Sequence, residues 1–236
     1  MNPLKVLIAC EESQRVCIEF RKLGHEAYSA DIQEPSGGHP EWHIHGDCLK
    51  ILHGGEFSTM NGELHNVDKW DLIIAHPPCT YLSNAGACRL YKVIDGKTYI
   101  ERERFEKGLA AKEFFLQCLN SDCEHIAVEN PLPSKIYNLP PCTQIVHPFE
   151  YGHKYSKKTM LWLKGLPNLI PTKIIDEHYP FLPSCTSKFK GKHRRGISGT
   201  AKFHSKTFEG IAQAMAQQWS DYLTGKTDKQ LSFFEE

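Results

Sequence analysis

Residues 4–32, LKVLIACEESQRVCIEFRKLGHEAYSADI, decide the fold. LKVLIAC is a continuous apolar run of strand length, the pattern of a strand buried on both faces. SQRVCIEFRKLG, residues 13–24, follows as a short helix with Ser13 as candidate N-cap and Gly24 as its stop. HEAYSADI, residues 25–32, returns as a second strand that ends at Asp31. A strand, a helix and a strand joined this closely predict a βαβ unit and a parallel sheet.

The alternation continues downstream. WHIHGD (42–47), WDLIIAH (70–76) and EHIAVEN (124–130) read as further strands, the first ending in Asp47. Between the last two, ERERFEKGLAAKEFFLQCLN (101–120) reads as a helix that buries Phe105, Leu109, Phe114, Phe115 and Leu119. Residues 144–169 predict a hairpin or strand pair at the sheet edge. SKTFEGIAQAMAQQWSDYLTG (205–225) predicts a closing amphipathic helix, with Phe208, Ile211, Met215, Trp219 and Tyr222 packed on the core. The expected class is α/β, Rossmann-like, a mostly parallel sheet with helices on both faces.

Composition narrows the function classes. A chain of 236 residues with 40% hydrophobic content can bury one main domain with an elaboration. Nine cysteines is an odd number, and no secretory leader precedes MNPLKVLIAC, so a reducing, cytoplasmic setting is expected. No CxxC pair occurs, which gives a structural metal little support. No run reaches the roughly 20 apolar residues that span a bilayer, so no membrane partner is expected. The net charge is zero, yet residues 151–206 carry twelve Lys or Arg against only Asp176 and Glu177. Such a basic segment on an otherwise acidic chain fits a polyanion such as nucleic acid, the alternative being a solvated basic surface with no partner.

In an open parallel sheet, ligands sit at the carboxyl ends of the strands. Glu11, Glu12, Asp31, Asp47, Cys79 and Glu129 all fall at such ends. Asp31 suits ribose hydroxyls and Asp47 an adenine amino group, although either alone also reads as an ordinary cap or loop acid. The first loop, CEESQRV, lacks the glycine-rich phosphate turn, so a pyrophosphate dinucleotide is not expected. S-adenosylmethionine has no phosphate and needs no such cradle. In AHPPC the two prolines stiffen the turn that aims Cys79, a candidate nucleophile; His76 and the basic loop are candidate neighbours to lower its pKa. Most of the other thiols read as small buried hydrophobes. Glu129 in AVENP could hydrogen-bond a ring nitrogen of a base under attack, with Asn130 and Pro131 fixing its turn.

PPC at 77–79, EN at 129–130, EYGHKYSKKTMLWLKGLP and TFEGIAQAMAQQW, in this order, resemble the S-adenosylmethionine-dependent DNA cytosine-5 methyltransferases. The closer likeness is to small methyltransferase-like proteins often encoded by bacteriophages, which would place the chain in a bacterial cytoplasm. The resemblance implies a cofactor pocket from Cys10, Glu11, Glu12, Ser13, Asp31, Ile32, Asp47, Cys48, His76 and Pro77. It implies catalysis by Cys79, Glu129 and Asn130 on a cytosine swung out of the helix. Substrate contacts would come from Ser83, from Lys157 and Lys158 where the family carries arginines, and from Lys188, Lys190, Lys192, Arg194 and Arg195.

Two departures stand out. The first motif is ACEESQRV where the family has an aromatic and a glycine-rich turn. The target-recognition domain is reduced to a basic loop. The expected division is a catalytic core at 1–164, the loop at 165–206, the closing helix at 207–224 and a tail at 225–236. The tail's QLSFF, Gln230, Leu231, Ser232, Phe233 and Phe234, resembles the peptide that docks on bacterial sliding clamps, unless its phenylalanines fold back on the domain. Competing readings are an amino methyltransferase acting on adenine N6 or cytosine N4, a methyltransferase shell that binds DNA or the clamp without catalysis, and methylation of a free nucleotide.

Overall fold

The computed structural model describes residues 2–180 and 205–226. The first half runs β1 (Lys5–Ala9), α1 (Arg15–Lys22), β2 (Glu26–Asp31), β3 (His43–His45), β4 (Gly55–Ser58), β5 (Leu64–Val67) and β6 (Leu72–Ala75). The second half runs β7 (Tyr91–Ile94), β8 (Lys97–Ile100), α2 (Arg102–Leu119), β9 (Ile126–Pro131), β10 (Gln144–Val146), β11 (Thr159–Lys164) and α3 (Glu209–Leu223).

Seven strands form one sheet in the order β10-β11-β9-β6-β1-β2-β3. The neighbours from β9 to β3 pair in parallel, and β11 lies antiparallel between β9 and β10. The predicted α/β class and mostly parallel sheet are therefore present. The strand pair expected at the edge is there too, but β11 sits one place inside it. Chain order reverses between β1 and β6, and the crevice of a doubly wound sheet opens at such a switch.

The apolar runs explain the layering. In β1, Leu7 and Ala9 point into one core and Val6 and Ile8 into the other. The second core is closed by Val16, Cys17 and Phe20 of α1 against Ile211, Met215 and Trp219 of α3. The first is closed by Phe115 of α2, whose ring meets Trp162 edge-on at 4.9 Å. Leu72, Ile73, Ile74 and Ala75 are wholly buried, as a central parallel strand requires.

Some details differ from expectation. Helix α1 starts at Arg15, with Gln14 rather than Ser13 at the N-cap, and Gly24 stops it at φ +86°. On α2 the buried stripe passes through Gly108, and Leu109 is exposed. The Tyr137 ring packs so closely that a Cβ on Gly108 would lie 2.1 Å from it, so the helix meets the loop after β9 at its glycine. Tyr222 on α3 is exposed as well. Two hairpins, β4–β5 and β7–β8, were not anticipated, though Asp95-Gly96 carried a signal. Both residues have positive φ, 49° and 74°, as a two-residue type I′ turn demands.

Candidate active site

Parallel pairing brings the carboxyl ends of β1, β2, β3, β6 and β9 to one rim. The loop after β1 is built around Glu11. Its buried carboxylate accepts the N–H groups of Val16 at 2.7 Å and Cys17 at 3.2 Å, the second and third residues of α1. Burial raises its pKa, and the charge of His76 and the two N–H bonds oppose that rise. An anion of the chain itself thus occupies the helix end where phosphate-binding folds hold their ligand. Glu11 serves as a helix cap, a role beyond its expected place as a cofactor contact.

Glu11→Ala would strand two helix donors in a buried site. A loss of about 1–3 kcal/mol is expected, equivalent to roughly 2–4 °C of thermal midpoint per kcal/mol. Thermal unfolding reads this directly; an unchanged midpoint would show that the cap carries no stability.

The neighbours of Glu11 are also engaged. Ser13 is buried and bonds to the Glu11 side chain. Glu12 faces Lys206 at 3.9 Å, and Lys206 donates to Ser36 at 2.7 Å. Arg15 donates to the Thr207 carbonyl, so the segment before α3 is laced over this loop. Cys10 has φ +59° and its sulfur lies 3.6 Å from that of buried Cys48. The hydrogen bond to Cys48 and burial push the Cys10 thiol well up, and burial pushes Cys118 up to about 12, so these thiols are inert.

The nucleoside side of the rim is more open. Asp31 accepts the Gln33 N–H at 2.9 Å, and the adjoining Ile32 is 74% exposed, an uncovered apolar platform beside a carboxylate. Asp47 is exposed and caps a short 3₁₀ turn through the Leu49 N–H at 3.0 Å.

At the adjoining ends of β6 and β9, next to the switch point, His76 and Glu129 meet, Nδ1 to Oε2 at 3.4 Å, with side chains only 10% and 15% exposed. Burial alone would lower the pKa of His76; the bond and charge of Glu129 and the charge of Glu11 outweigh it and raise it. Burial alone would raise Glu129; His76 and Lys157 outweigh it and lower it. Both shifts favour the charged forms of the pair. Asn130 donates to the carbonyl of buried Pro77 at 2.9 Å and ties the two strand ends together. Among the described residues, His76 Nε2 and Asn130 Oδ1 are buried without a hydrogen-bond partner. Polar atoms left so are costly unless a ligand or water meets them.

Cys79 is partly exposed beside this pair. Burial and the charge of Glu129 raise its pKa, and Lys157 opposes them. His76 pairs with Glu129 and does not lower the thiol's pKa, contrary to its expected part in activation. The expected basic pair splits. Lys157 acts on His76, Cys79 and Glu129, whereas exposed Lys158 acts on His147. Ser83 is buried and its hydroxyl accepts the Gly86 N–H at 3.2 Å, a contact that fixes the turn.

Lys188, Lys190, Lys192, Arg194 and Arg195 lie outside the described residues, as do Gln230, Leu231, Ser232, Phe233 and Phe234. Among the described residues no cluster of His, Cys, Asp or Glu could hold a metal ion, and no helix is long and apolar enough to cross a membrane. A groove of about 610 Å³ lies around the amino ends of β1 and β2, lined by Arg21, His25 and Trp42, away from the rim. No family profile matches the chain, and no curated protein matches its sequence.

Proposed function

We propose that the chain is an S-adenosylmethionine-dependent methyltransferase acting on C5 of cytosine in DNA, with Cys79 as nucleophile. The observation that carries this reading is the gathering of a partly exposed thiol, the His76–Glu129 pair and Lys157 at the ends of β6 and β9. The rim also fits a cofactor with a nucleoside and no phosphate. Glu11 fills the helix end, while Asp31, Ile32 and Asp47 would hold the nucleoside and the orphaned polar atoms of His76 and Asn130 lack partners. S-adenosylmethionine, when bound, supplies the methyl group.

The chain's own residues do the rest. Cys79, once deprotonated, adds to C6 of the flipped base, and the ring's electrons move toward N3. Glu129 faces N3, and the proton that the pair keeps on His76 reaches N3 through it. Electron density then rises at C5, the carbon to be methylated. Loss of the C5 proton to solvent, return of the N3 proton to Glu129 and expulsion of Cys79 as thiolate restore the aromatic ring. Lys157 holds the substrate's polar groups and offsets the charge of Glu129 beside the thiol.

The raised pKa of Cys79 favours one rival reading, methylation of an exocyclic amino group, which needs no thiolate. The QLSFF tail fits a sliding-clamp partner and action on newly copied DNA in a bacterial cytoplasm. The test is transfer of labelled methyl from S-adenosylmethionine to DNA of mixed sequence, followed by nucleoside digestion. Label in 5-methylcytosine is expected. Label in N4-methylcytosine or N6-methyladenine would move the reading to amino transfer, and label only in free nucleotides would move it off DNA. No label at all from a folded chain would remove catalysis.

A further inference from the structure

The β7–β8 hairpin is exposed along its whole length, with Tyr91, Val93, Ile94, Tyr99 and Ile100 between 44% and 71% accessible. A solitary two-stranded ribbon is marginal in water, and so much apolar surface on one marks a contact site. Its register sorts the side chains. Tyr91 opposes Ile100 and Val93 opposes Thr98 on one face; Lys92 opposes Tyr99 and Ile94 opposes Lys97 on the other. One face is thus apolar and the other interleaves two lysines with an aromatic ring, and Arg89 precedes the ribbon.

The ribbon's position matters as much as its composition. It grows from the loop that carries Cys79. Its base is closed by the bond from Glu101 N–H to the carbonyl of buried Leu90. Arg104, at the start of α2, donates to the carbonyls of Thr80 and Gly86 in that same loop. The ribbon is therefore anchored to the loop that carries the thiol.

We infer that the β7–β8 hairpin is the element that seats duplex DNA at the active site, lying in a groove with its apolar face on base edges and Lys92 and Lys97 on phosphates. A two-stranded ribbon fits the major groove, where apolar side chains can meet thymine methyls. Charge favours a polyanion: Lys92 and Lys97 outnumber Asp95 within the ribbon, and Lys92 reaches Glu101 only at 3.8 Å. The inference rests on the reading of the rim as a site that acts on nucleic acid.

The test is fluorescence anisotropy of a labelled mixed-sequence duplex, and of its single strand, titrated with the full chain at several salt concentrations. The wild type is expected to prefer the duplex. Lys92→Gln/Lys97→Gln should weaken duplex binding on the order of tenfold and reduce the slope of log affinity against log salt by about 2. Tyr91→Ala/Val93→Ser, on the apolar face, should weaken binding with the slope kept. All these side chains are exposed, so the thermal midpoint should hold, and circular dichroism checks it. Variants that bind the duplex like the wild type, a preference for the single strand, or no DNA binding by the wild type would each overturn the inference. Methyl transfer is scored separately: hairpin-dependent DNA binding without methylation would sink the enzyme reading alone, and 5-methylcytosine formed equally by the hairpin variants would sink the hairpin alone.

Discussion

Cys79→Ser is expected to lower methyl transfer to cytosine by about six orders of magnitude, the scale on which loss of a covalent nucleophile is felt. A serine hydroxyl keeps the shape and much of the polarity of the site, so binding of DNA should survive. What it lacks is an ionisable group that can add to C6 near neutral pH. The thiol is itself poorly ionised in the free protein, because burial and then Glu129 raise its pKa. The wild-type rate should therefore climb with pH as thiolate forms, and the serine variant should show no such climb. Single-turnover transfer with labelled cofactor, read across a pH series, measures both. A variant that still methylates at the wild-type rate would mean that the acceptor is an exocyclic amine.

Glu129→Gln is expected to cost about 10²–10⁴ in transfer, the usual worth of a positioned proton donor, and to move His76 downward in pKa. The second effect follows from geometry. Among the groups facing His76, Glu129 raises its pKa through the bond and its charge, Glu11 through its charge alone, and Lys157 lowers it; burial is the largest influence and also lowers it. Removing the carboxylate leaves burial dominant. Because the pKa of His76 is raised on folding, its stabilising contribution is complete below the ordinary imidazole range and fades as pH rises through the folded value. Glu129 has the opposite sign: its contribution is present above the ordinary carboxylate range and fades as pH falls through its depressed value. Wild-type stability from the pair should thus be greatest between those two ranges. Imidazole proton shifts in an NMR titration would show the change, and a His76 pKa unaltered in the variant would mean that the pair is not formed in solution.

The parts of the molecule that were legible in the sequence are those set by local pattern. Buried parallel strands are apolar runs, so LKVLIAC and WDLIIAH announced β1 and β6, and a strand's end is where its next polar residue falls. That rule located Cys79 and Glu129 on one rim. Where a partner distant in sequence decides, reading failed. Leu109 fits a helical stripe as well as Gly108 does, until Tyr137 arrives to claim the glycine. Lys157 and Lys158 are chemically alike, and only the path of the chain into β11 turns one toward the thiol and the other toward His147. Glu11 reads as a ligand of a cofactor because nothing local reveals that its carboxylate folds back on its own helix. The β7–β8 ribbon is the exception, since its Asp-Gly turn was a local signal and its solvent-facing strands lack the apolar alternation that draws attention to a strand.

The packing of α1 on α3 also governs how the molecule is made. Val16, Cys17 and Phe20 emerge in synthesis long before the residues that cover them, Ile211, Met215 and Trp219. Contacts of such long sequence separation are slow to form, because a long loop must close before they are rewarded. Until α3 docks, the nascent chain carries an uncovered apolar face next to the loop of Glu11, the kind of surface on which incomplete chains stick to one another. The rim therefore cannot be completed strand by strand as it is synthesised; it takes its shape only when α3 closes on α1.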